Sequence, residues 1–179
     1  MGIASTLLSW AGWKVEITAP DYPKSIICVA PHTSNWDFVL GKLAYASVGR
    51  RAGFLMKSSW FFFPLGYIFK AMGGIPVHRG GGRAVTQQVV EKFNKATRLT
   101  IAITPEGTRK RTSIWHTGFL HMARMANAKI VLGAIDASEK RIIIKDTFTP
   151  SGDIDADIRA IKQYYRSFKG VHPEKFSTE

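Results

Sequence analysis

Three short stretches combine residue types that chemistry needs, and each follows directly on an apolar run: PHTSNWD at 31–37, GGIPVHRGGGR at 73–83 and TPEGTRKR at 104–111. In the first, His32 precedes Asp37 with four residues between them. A carboxylate that accepts from one ring nitrogen fixes the imidazole tautomer and leaves the other nitrogen as a base toward a hydroxyl. The same spacing also arises when a loop histidine precedes a helix-capping aspartate. In the second, Arg79 stands beside Gly80, Gly81 and Gly82, a guanidinium next to backbone that can approach a ligand closely and present its amides. That outlines a phosphate grip, although a plain glycine turn fits as well and no G-x-x-x-x-G-K-S/T is present to make a P-loop. In the third, Glu106 and Gly107 lead into Thr108, Arg109, Lys110 and Arg111, a lone carboxylate among cations or a basic surface loop.

Other chemistries lack their residues. No G-x-S-x-G elbow offers a serine nucleophile. Cys28 sits inside the apolar run SIICVA, where a thiol is an inert core group. His32, His78, His116, His121 and His172 show no H-E-x-x-H or comparable spacing, so no metal site is expected. By strand alternation His78 faces away from Arg79.

All three stretches lie where a strand hands over to a loop. Ser25–Ala30 reads as a buried strand ending at Pro31. Ser34 with Asp37 resembles a capping box ahead of a helix from about Trp36 to Val48. Gly53–Lys57 is strand-like, a short helix fits between Pro64 and Met72, and Ile75–Arg79 is a further strand. Arg83–Ala96 is an amphipathic helix with Val85, Val89 or Val90, and Phe93 on one stripe. Leu99–Thr104, Lys129–Ile135 and Arg141–Lys145 are strands, and Gly118–Asn127 is a helix with Phe119, Leu120, Met122 and Ala123 on its inner face. Asp153, Asp155 and Asp157 open a last helix at its positive dipole end, with Gly170 as its stop. Strands alternating with helices predict an α/β fold: one domain at 25–179 with a central mixed, mostly parallel sheet flanked by helices, preceded by an N-terminal segment 1–24.

The 179 residues are enough for one hydrophobic core. A hydrophobic fraction of 45% and a charged fraction of 21% exclude a disordered tail or fibrous repeat. The single cysteine excludes an intrachain disulfide framework and is consistent with a reducing compartment. The apolar run Trp60–Phe69 is about half of the roughly 20 residues a spanning helix needs, and the charged-then-apolar order of a secretory signal is missing. The chain is therefore expected in the cytoplasm. Of its 25 basic residues, 15 fall between Phe38 and Ile135, where only Glu91 and Glu106 are acidic. Such a field favours an anionic partner: nucleic acid, a phospholipid surface or a phosphorylated substrate.

Taken in order, HTSNWD, GGIPVHR and PEGTR resemble the glycerophospholipid acyltransferase family, particularly its bacterial 1-acylglycerol-3-phosphate acyltransferases, over roughly residues 25–135. WHTGFLHMA at 115–123 is similar to the stretch that follows the third motif in that family, whereas VLGAID at 131–136 lacks the proline usual in its fourth. The resemblance implies His32 and Asp37 as the catalytic pair and Arg79 as the ligand of the acceptor phosphate. It also implies Glu106, Gly107, Thr108 and Arg109 for acceptor binding and site architecture. No cofactor or metal is implied; an acyl-CoA or acyl carrier protein thioester is the co-substrate and a lysophospholipid the acceptor. An activated thioester needs a base on the alcohol and a stabilised oxyanion but no covalent nucleophile, in keeping with the missing elbow.

Membrane access is then expected to be peripheral, on an anionic cytoplasmic face, through Leu7, Leu8, Trp10 and Trp13 together with Trp60–Phe63 and neighbouring cations. Two alternatives stay open: another acceptor such as a lyso-ornithine lipid, and a basic nucleic-acid-binding module. The second conflicts with the absence of a recognised nucleic-acid motif and with aromatics that cluster rather than interleave with cations.

Overall fold

The computed structural model describes residues 2–78 and 84–179. In chain order the elements are α1 (Ile3–Trp10), β1 (Lys14–Ile17), β2 (Lys24–Ala30), α2 (Asn35–Ser47), β3 (Gly53–Lys57), α3 (Leu65–Ala71) and β4 (Gly74–Val77). They continue as α4 (Val85–Lys95), β5 (Leu99–Ile103), α5 (Gly118–Ala126), β6 (Lys129–Asp136), β7 (Arg141–Phe148) and α6 (Ile154–Tyr165). The strands form one sheet in the order β1-β7-β6-β2-β5-β3-β4. Strands β2 to β6 run parallel, β7 is antiparallel to β6, and β1 is parallel to β7. This is the mixed, mostly parallel α/β sheet expected from the pattern. No described helix is long and apolar enough to cross a membrane.

Strand β2 explains the layering. Its side chains alternate: Ile26, Cys28 and Ala30 enter the core built with α4, α5 and α6, while Ile27 and Val29 enter the cores on the opposite face, with Tyr45 of α2 and with Leu8 of α1 and Leu40 of α2. A central parallel strand covered on both faces must be apolar throughout, as SIICVA is. Tyr165 of α6 is fully buried and its hydroxyl donates to the Cys28 carbonyl, which pins α6 to the middle of β2.

Three features differ from expectation. The segment before β2 supplies a helix and an edge strand, α1 and β1, the latter registered residue by residue on β7 from Lys14–Arg141 to Ile17–Ile144. The last helix ends at Tyr165 with Arg166 as its C-cap, so Gly170 does not terminate it. Strand β7 also runs on to Phe148.

The topology fixes where a ligand can enter. Helix α2 leaves β2 toward β3, while α5 leaves the adjacent β5 toward β6, in the other direction along the sheet. Connections that diverge from the carboxyl ends of neighbouring parallel strands open a crevice between them. The crevice here lies between β2, followed by HTSNWD, and β5, followed by PEGTR.

Candidate active site

The loop after β2 is built around one carboxylate. Oδ2 of Asp37, at the N3 position of α2, accepts the backbone N–H groups of Thr33 at 2.7 Å and Ser34 at 2.8 Å, closing a capping box with Ser34 as N-cap. The same oxygen lies 3.4 Å from Nδ1 of His32, an ion-pairing distance slightly longer than a hydrogen bond. Helix cap and histidine partner, alternatives in the sequence, are one group in the structure. Asp37 is 2% exposed at its side chain and His32 is 20% exposed, so the carboxylate is behind the imidazole and the ring reaches the surface. Nδ1 faces the aspartate, and Nε2 has no partner among the described residues.

Glu106 sits beneath the same histidine. It is 2% exposed, and its Oε1 accepts the backbone N–H of His32 at 2.7 Å. Burial pushes the Glu106 carboxyl up to about 7; the His32 amide works in the opposite direction and the Asp37 charge adds to the rise. Asp37 Oδ1 and Glu106 Oε2 are both buried without a hydrogen-bond partner among the described residues. Two carboxylates thus flank one histidine, Asp37 at its ring and Glu106 at its main chain.

The remaining third-motif residues shape the rim. Gly107 has φ +64°, a left-handed conformation that a side chain resists, and Nε2 of His116 lies 2.6 Å from where its Cβ would be. Thr108 accepts from the Lys110 amide at 3.1 Å and tightens the turn. The Arg109 guanidinium donates to the Asn35 side-chain oxygen in the first turn of α2, tying the third motif to the first. Both residues are exposed.

The second motif is held from α4. The Gln88 side chain accepts from the His78 amide and donates to its carbonyl, each at 2.9 Å. Strand β4 lies three strand spacings from β2, roughly 14 Å across the sheet. Arg79 and the three glycines after it lie outside the described residues. The structure thus brings together His32, Asp37 and Glu106 and places Gly107, Thr108 and Arg109 at the rim. Thr33, Asn35 and His116 also take part, and the sequence pattern had singled out none of them. Asn35 lies within the first motif, but neither its bond to Arg109 nor the stacking of His116 on Gly107 has a local sequence signal.

Exposed apolar side chains occur along the carboxyl ends of the parallel strands. Trp36 is 65%, Trp60 52% and Phe63 81% exposed, the first in the opening turn of α2 and the others after β3. Trp10, 86% exposed, joins them: Lys14, at the start of β1, registers on Arg141, which pairs with Asp136 at the carboxyl end of β6. Leu8 corrects the expected surface set, because it is buried against the core that contains Leu40 of α2. Phe61 is likewise half-buried and packs edge-on against Phe69.

A family model described as Acyltransferase matches residues 14–135. The crystal structure of the 1-acyl-sn-glycerophosphate acyltransferase PlsC from Thermotoga maritima superposes with a TM-score of 0.60 at 15% identity, covering 91% of this chain and 75% of that one. No curated protein matches the chain. The likeness to PlsC is one of fold, and the family match spans every strand from β1 to β6, the crevice between β2 and β5, and both loops that meet at His32. The chain belongs to the acyltransferase family.

Proposed function

We propose that this acyltransferase moves a fatty acyl group from an acyl-CoA or acyl carrier protein thioester to the hydroxyl of a lysophospholipid. The first candidate acceptor is 1-acylglycerol-3-phosphate, which would yield phosphatidic acid. The observation that carries the reading is the His32–Asp37 pair at 3.4 Å at the carboxyl end of β2, with the imidazole partly exposed and its Nε2 unpartnered among the described residues. PlsC of Thermotoga maritima, whose fold this chain shares, is described as a 1-acyl-sn-glycerophosphate acyltransferase, which favours that acceptor.

In this reading Nε2 of His32 takes the acceptor hydroxyl proton as the oxygen attacks the thioester carbonyl. Asp37 holds the tautomer and stabilises the imidazolium. The tetrahedral oxyanion collapses, the carbon–sulfur bond breaks, and the imidazolium proton goes to the departing thiolate. Arg79 and Arg109 hold the acceptor phosphate, for which paired guanidinium donors are suited. Glu106 keeps the His32 main chain in place.

The lipid acceptor must be reached at a surface. Trp10, Trp36, Trp60, Phe62 and Phe63, all exposed beside a chain of net charge +12, support peripheral docking of the site edge on an anionic cytoplasmic membrane face. The deciding experiment is release of free thiol from palmitoyl-CoA by purified protein, with and without 1-acylglycerol-3-phosphate, beside His32→Ala. Release that needs both the acceptor and His32 supports the reading. Release that survives His32→Ala overturns it, and release only with another lysolipid replaces the acceptor.

A further inference from the structure

The chain beyond α6 lies outside the residues matched by the family, and it packs on the loop that carries His32. Its first anchor is at the end of β6, where the Ala137 amide donates to the Lys169 carbonyl at 2.7 Å. One residue later Gly170 is buried against the first motif. A Cβ there would stand 2.6 Å from Thr33 Oγ1, 2.9 Å from Thr33 Cγ2 and 3.1 Å from the Pro31 side chain. The His172 amide then donates to Thr33 Oγ1 at 3.1 Å. Farther on, the Ser177 carbonyl accepts from the Trp115 indole at 3.2 Å, and the Phe176 ring packs on Trp115, with centroids 6.1 Å apart. Trp115 belongs to the loop after β5, so one segment touches the carboxyl ends of β6 and β2 and the loop after β5.

Gly170 is not among the positive-φ glycines, and α6 has already ended at Tyr165. Neither a turn nor a helix stop therefore requires glycine here; the space filled by Thr33 does. Thr33 is 1% exposed and is the hinge of the first motif, since its N–H donates to the Asp37 oxygen that faces the His32 ring. Its side chain is held by the segment after α6, and its main chain holds the carboxylate.

We propose that residues 169–177 form a strap that positions the His32–Asp37 loop for catalysis, with Gly170 and the Thr33 hydroxyl as the point of contact. The proposal rests on reading His32 and Asp37 as the reacting pair. Thr33 and Gly170 are positioning residues: they act on the imidazole through Asp37 and the loop main chain and touch no substrate. A displacement of the base by about 1 Å can lower the rate by up to 10²-fold, so a contact this close has a large effect on turnover.

The test compares Thr33→Val, which keeps the shape and removes the acceptor, with Thr33→Ser, which keeps the acceptor, and with Gly170→Ala, in the full chain. Steady-state thiol release and amide hydrogen exchange of the 31–37 segment are read on each. Thr33→Val and Gly170→Ala are expected to speed exchange in 31–37 while exchange in α6 and β6 is unchanged. They should lower kcat on the order of 10-fold to 10²-fold, with KM for donor and acceptor within about two-fold. Thr33→Ser should stay near the parent in both readouts. Folded Thr33→Val with parental kcat, or with parental exchange in 31–37, overturns the strap, and so does an equal loss in Thr33→Ser. Because Thr33→Val is isosteric, this holds even where Gly170→Ala does not fold. Turnover that survives His32→Ala would instead overturn the reading of the reaction, a result separate from the exchange of the loop.

Discussion

The main-chain N–H of His32 donates to Oε1 of Glu106 at 2.7 Å, joining the loop after β2 to the loop after β5 across the crevice. The bond is made by a carboxyl group that burial pushes up to about 7. Glu106 is 2% exposed, and its Oε1 holds the His32 main chain from inside the protein.

Glu106 should leave a signature in stability against pH. A carboxyl whose native value is raised from 4.5 to about 7 binds its proton more tightly when folded, so the native state is favoured below the unfolded value and loses that advantage as pH rises through 7. The shift corresponds to about 3 kcal/mol. Glu106→Gln keeps an acceptor for the His32 amide and removes the titration. Urea unfolding at pH 5 and pH 8 should show the parent losing more stability than Glu106→Gln over that interval. Equal losses would mean that Glu106 ionises freely.

Asp37→Asn separates the two tasks of that side chain. The amide oxygen can still accept from Thr33 and Ser34, so the helix cap is largely kept and unfolding should move by less than about 1 kcal/mol. The charge facing the imidazole is lost, and kcat should fall on the order of 10² to 10⁴. A variant with near-parental kcat would reduce Asp37 to a cap.

Gly107→Ala meets two obstacles at once, the left-handed backbone and the His116 ring. The backbone alone costs about 1–2 kcal/mol for an L-residue. Adding His116→Ala should recover only the part due to the ring. Chemical denaturation of the single and double variants measures both, and full recovery in the double variant would show that the backbone is not strained by the substitution.

Arg79→Ala should raise the acceptor KM far more than it lowers kcat, because the guanidinium is assigned to a phosphate that does not change during the reaction. Arg109→Ala should do the same and also release Asn35. An acceptor KM unchanged in both variants would remove the phosphate assignment.

Flotation with anionic vesicles should recover the protein, and raising the salt should weaken recovery, since an electrostatic contribution is screened within about 10 Å at 0.1 M. Replacing Phe62 and Phe63 together by serine should weaken binding at every salt concentration, because those exposed rings are the insertion surface in this reading. Protein that stays with the unbound fraction at low salt would leave membrane docking unsupported.

Much of the site could be read locally. His32, Asp37 and Ser34 lie within six residues of each other, and their placement follows from a strand end and a capping box. SIICVA was legible because a central parallel strand is apolar on both faces. The fourth residue of the first motif's cluster, Glu106, was legible as a residue but not as a clamp: its bond to His32 spans 74 positions. Strand β1 is only four residues long, and its partner β7 comes 127 positions later, so no periodicity announces it. Gly170 was misread for a related reason. A glycine after an amphipathic helix has the local appearance of a helix stop, and only the fold brings Thr33 against it.

Cys28 has a practical consequence. It lies in the centre of β2 with no exposed surface, and burial pushes its thiol up to about 12. Such a sulfur is practically never a thiolate near neutral pH and does not react with disulfide or maleimide reagents while the protein is folded. A chromogenic thiol reagent added to a turnover assay will therefore count the sulfhydryl freed from the donor and not the enzyme's own. A cysteine introduced at Trp60 or Trp36 would be the single reactive handle on the molecule, so an environment-sensitive dye placed there could report contact with lipid without first removing the native one.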